Sequence, residues 1–166
     1  NRAGAVGFFL LIAFNIDNGL DPDLLATTLG LCVASLAAPT LLLMIWQQHE
    51  FQKQDSRLRV LDFPTWPKRI GLAAFLATGF NILGLTVPWI ASASYPEFRL
   101  TLANTSFLFN TVFTVINVFY LEHHFARLVD EDRTQIHGFV SAVLFSRLVA
   151  FLVFGAGVVA IPLWSG

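Results

Sequence analysis

Apolar residues run along this chain in long blocks at 3–16, 24–46, 70–90, 100–124 and 138–164, with short polar stretches between them. A helix rises about 1.5 Å per residue, so crossing hydrocarbon takes roughly 20 apolar residues. Four blocks reach that length. The first has 14 residues and is predicted as a short fifth helix or an incomplete crossing. The pattern therefore predicts an all-α, polytopic integral membrane helix bundle, folded as a single domain over residues 1–166.

The polar stretches carry recognisable helix punctuation. Asp21-Pro22-Asp23 reads as a helix start, with Asp21 as N-cap, Pro22 at the first helical position and acid in the first turn. Within the block that follows, Gly30, Ala34 and Ala38 stand four apart. This small-residue face lets another helix approach closely, in this chain or in a neighbour, so self-association or another subunit is expected there. Pro39 is placed to kink the same helix. Residues 47–69 turn polar, and 59–63 mix charge with apolar residues as a surface-lying segment does. Pro64 and Pro67 interrupt that stretch. Residues 91–99 read as a loop and 129–135 as a charged turn, while Gly155, Gly157 and Pro162 loosen the end of the last block.

One block is not uniformly apolar. Ser106, Asn110, Thr114, Asn117 and His124 recur at helical spacing and share one face. The following block holds Arg147, the one charged side chain well inside any block. Counting from His137 places it about 15 Å along its helix. Charge at mid-membrane costs on the order of 3 kcal/mol or more unless it is paired, hydrated or able to reach the interface. None of the eleven acidic residues lies in the interior of a block, so the expected partners are amides and hydroxyls. Counting by level selects Asn81, Asn110, Thr114 and Asn117 as a polar clasp around Arg147. The chemical alternative is that Arg147 binds an anionic or carbonyl-bearing group, such as a lipid phosphate.

Composition strengthens the membrane reading. The chain is 55% hydrophobic and 13% charged, with mean hydropathy +0.66, values foreign to soluble domains. Net charge is −1, which does not suggest a nucleic-acid surface. Cys32 is the sole cysteine, so an internal disulfide and a cysteine-based zinc site are both excluded. No signal-peptide pattern opens the sequence, and the shortness of the first block leads us to expect residues before Asn1.

Basic residues are unevenly shared between the two sides. Assigning alternate connections to alternate faces gathers Arg2, Lys53, Arg57, Arg59, Lys68, Arg69, Arg127 and Arg133 on one face and only Arg99 on the other. The basic face, with loops 47–69 and 125–136, is then expected to be cytoplasmic, with the N-terminus in and the C-terminus out. Trp46 and Trp66 fall near the inner helix ends and Trp89 and Trp164 near the outer ones, as an aromatic belt does.

His49, Glu50, Glu122, His123, His124 and His137 all fall at inner helix ends. Imidazole and carboxylate suit zinc or iron, yet their spacing matches no ligand motif, so a metal ion is a weak expectation and lipid a stronger one. Three functions fit. The first is a non-catalytic subunit of a larger membrane complex. The second is a channel or transporter component for an anionic or neutral solute, since the blocks lack a carboxylate to couple cations. The third, a membrane enzyme built on the histidine–glutamate set, lacks a nucleophile elbow or a phosphate-cradling loop.

Overall fold

The computed structural model describes Gly19 and residues 21–54, 68–131 and 135–165. The block at 3–16 and the segment at 59–63 lie outside these. Regular structure among the described residues is helical throughout: α1 (Pro22–Ser35), α2 (Ala37–Gln54), α3 (Lys68–Ser94), a 3-10 turn (Pro96–Phe98), α4 (Arg99–Val115), a π-helical segment (Ile116–Glu122), α5 (His123–Glu131) and α6 (Ile136–Ser165). Four stretches are long and apolar enough to cross a membrane: Pro22–Gln47, Arg69–Ser94, Arg99–Glu131 and Ile136–Ile161.

Local chemistry explains most boundaries. Gly19 takes a positive φ of 78°, a conformation that costs glycine nothing, and turns the chain into the α1 cap. The Asp21 side chain accepts from the Asp23 backbone N–H at 3.0 Å, and Pro22 occupies the first turn. The Pro39 ring conflicts with the carbonyl four residues earlier, at Ser35. The helix accordingly breaks there: Leu36 donates to Val33 at 3.1 Å and α2 restarts at Ala37. Pro88, by contrast, is carried inside α3.

Helices outrun their apolar blocks. α3 continues to Ser94 and leaves only Tyr95 and the 3-10 turn where a loop over 91–99 was expected. The turn expected at 129–135 is shortened in the same way, because α5 runs to Glu131 and α6 begins at Ile136. Alcohol side chains ease this extension: Ser94 donates to the Ile90 carbonyl at 3.1 Å, so polarity alone does not end a helix.

The packing order is α4, α3, α6, then α1 with α2. α6 lies against α1, α2 and α3, while α3 also takes α4 and the π segment. Close approach at the α1–α6 seam comes from small residues. A methyl group on Gly30 would meet the Val159 backbone nitrogen at 2.8 Å and the Gly155 carbonyl at 2.9 Å. One on Gly155 would meet the Ala34 nitrogen at 2.9 Å. Gly30 and Ala34 are thus taken up by α6 of the same chain, and Ala38 is exposed.

Two apolar clusters hold the ends. Leu25, Ala26, Leu29, Ile90 and Val158 join α1, α3 and α6 at the Asp21 end, with Trp89 and Ala93 against them. Ile70, Ala74, Ala77, Leu121 and Phe139 join α3, the π segment and α6 at the opposite end, called here the basic end. α3 contributes to both and is the spine of the bundle.

Candidate functional site

The helix register fixes which polar residues meet. A methyl on Gly71 would lie 3.1 Å from Ser146 Oγ, and one on Gly79 would run into the Phe154 ring. Both contacts give an offset of 75 between α3 and α6. Arg147 is therefore level with Gly71 and Leu72, close to where α3 begins at Lys68. On the other side of α3, a methyl on Gly84 would sit 2.8 Å from Phe109 Cβ, and the Phe80 and Phe109 rings lie 6.4 Å apart. By these registers Asn81 lies nine residues beyond the level of Arg147, about 13 Å along the axis. Asn110 is displaced by about 16 Å and Thr114 by about 10 Å, with Asn117 nearest at about 6 Å.

The structure does not draw the expected clasp together. α4 and α6 share no extended interface, since α3 stands between them. Among the described residues Arg147, half-buried, has no hydrogen-bond or ion-pair partner. Thr114 donates instead to the Asn110 carbonyl of its own helix at 2.8 Å, and Thr111 to Phe107 in the same way. Thr78 and Thr86, buried on α3, do likewise at 2.8 Å. Hydroxyls that bond four residues back are satisfied within their helix, so a stripe containing them needs no facing helix. The level of Arg147 differs from the count because α6 starts ten residues before Ser146 while α3 starts three before Gly71. Neighbouring helices do not begin in one plane.

Asn117 is engaged elsewhere. Its Nδ2 donates to Glu122 Oε1 at 2.9 Å, five residues on. Residues five apart diverge on an α-helix and meet where the turn is widened, which is the geometry of the π segment. In the next turn the Tyr120 ring stacks on His124 with centroids 4.7 Å apart. His123 stands edge-on to His124 at 6.2 Å. His124 Nδ1 is buried without a hydrogen-bond partner among the described residues. The sequence holds a signal for this element, the Asn117–Glu122 pair at a spacing of five, which α-helical periodicity passes over.

The metal candidates are dispersed. His49 Nδ1 lies 4.0 Å from Glu50 Oε1 on α2, Glu122 bonds Asn117, and His137 on α6 lies 3.5 Å from Ser141. No three His, Cys, Asp or Glu side chains gather as a metal would require among the described residues.

A third unmatched group, beside Arg147 and His124, is Gln47, which the sequence pattern does not mark. It is buried, and its Nε2 has no hydrogen-bond partner among the described residues. It shares a face of α2 with buried Ala37 and Thr40, and α2 packs on α6.

Four helices long and apolar enough to span a membrane, closed around α3 and α6, define the class as a helical membrane bundle. Comparison with protein-family models, curated proteins and solved structures gave no match.

Proposed function

We propose that this chain is a non-catalytic integral subunit of a larger membrane complex, with its basic end cytoplasmic and α4 turned toward a neighbouring subunit. The observation that carries the reading is the state of α4. Among the described residues from Arg99 to Tyr120, none is buried. Leu100, Phe107 and Phe119 are each more than 70% exposed. α3, by contrast, buries residues along its whole course from Ile70 to Ser92. A helix held along one side only leaves its other face to lipid or to a neighbouring subunit, and we assign it to the subunit.

Exposure of Thr111 and Thr114 on that helix also argues against a solute route inside this chain alone. A route needs its polar groups turned inward to an enclosed lining. The cytoplasmic assignment of the basic end rests on the bias in lysine and arginine between connections.

The test is cross-linking in native membranes. With Cys32→Ala as background, Thr111→Cys is expected to link to a second membrane protein, while Ser92→Cys, buried in α3, is not. A monodisperse single chain that forms no link at position 111 and conducts a solute when reconstituted alone would favour the transport reading instead.

A further inference from the structure

Arg147 and Gln47 both lack acceptors among the described residues, and the helix geometry turns them toward one another. Arg147 is half-buried on α6 with no partner among the described residues. Gln47 is buried on α2, with Nε2 unmatched.

Gly30 against Val159, and Ala34 against Gly155, run α1 antiparallel to α6. Carried onward, that register puts Gln47 about five residues, or roughly 7 Å, toward the basic end from Arg147. Side chains lean toward the N-terminus of their helix. On α6 that lean carries Arg147 toward the basic end, and on antiparallel α2 it carries Gln47 back to meet it. Arg147 also lies between the α6 face that meets α3, through Ser146 and Phe154, and the face that meets α1, through Gly155 and Val159. Among the described residues α2 and α3 share no extended contact of their own, which leaves a wedge between α2, α3 and α6 beside the two donors.

We propose that this wedge binds the phosphodiester of an anionic glycerophospholipid in the leaflet at the basic end. A guanidinium and an amide N–H are donors only, so the group they take must be an acceptor. Glu122 lies on the π segment, which packs on α3, and its Oε1 accepts from Asn117. The level of Arg147, one turn from the start of α3, lies within reach of a headgroup once the arginine stem extends. A planar guanidinium holds phosphate oxygens in pairs, which a single amide acceptor cannot reproduce. The site does not depend on α4 or on any partner of it.

Full-length protein, stripped of lipid in detergent, is titrated with dioleoylphosphatidylglycerol in mixed micelles. Bound lipid is counted by native mass spectrometry and stabilisation read as a rise in Tm. Wild type is expected to take up one lipid. Arg147→Gln and Gln47→Leu should each raise the half-saturating lipid concentration about tenfold or more, as loss of a hydrogen bond to a charged group does. Arg147→Lys should retain part of the affinity, and it carries the test with Gln47→Leu if Arg147→Gln fails to accumulate. Wild-type affinity in both Gln47→Leu and an arginine variant overturns the proposal. So does inorganic phosphate reproducing the full Tm rise, which would assign the site to a soluble anion.

Discussion

At the level of single residues, the tightest constraint is the space at glycine. Gly30 faces backbone atoms of α6 at under 3 Å from any added methyl, whereas a methyl on Gly157 meets nothing within 4 Å. Gly30→Ala should therefore destabilise the protein by about 1–3 kcal/mol, since neither backbone can withdraw without parting the seam. Gly157→Ala should be neutral or slightly stabilising, because alanine is the better helix former. Thermal unfolding of the two variants in one detergent separates them. Asp21→Ala removes the α1 cap hydrogen bond and should cost about 1 kcal/mol, measurable by the same assay. That cap was legible in the sequence because capping is local chemistry, complete within three residues. The surroundings of Arg147 were not, because they depend on where neighbouring helices start, and no run of residues in one helix encodes that.

The helical elements follow the apolar blocks closely in position and less closely in length. The stripe on α4 was visible as spacing, but its use was not. Ser106, Asn110 and Thr114 look alike as polar marks, yet the Thr114 hydroxyl turns back to its own helix while Asn117 reaches forward to Glu122. That forward bond spans the widened turns at Ile116–Glu122. Asn117→Leu should relax the segment toward ordinary α-helical geometry. Hydrogen–deuterium exchange of backbone amides over residues 116–122 checks this: exchange should slow in the variant and stay unchanged in α3. A helix that keeps its exchange pattern without the amide would show that packing of Leu121 against Ile70 and Ala74 sets the widened turn.

For the whole molecule, the number of long apolar helices was readable and their neighbours were not. Periodicity shows that a helix has a face without showing which helix covers it. Gly30 and Ala34 illustrate the point, since their pattern fitted a second subunit as well as it fits α6. Sidedness is open to direct measurement. With Cys32→Ala as background, His49→Cys and Tyr95→Cys, both at exposed positions, should react with a membrane-impermeant thiol reagent from opposite sides. Labelling of both from one side would refute the alternating arrangement of the helices.

The break at Leu36 gives the first crossing a joint. A continuous rod 33 residues long could move only as one piece, so prising its lower arm from α6 would also unseat Gly30 and Ala34. With a fulcrum at Leu36 the arm below can swing while the glycine seam above stays shut.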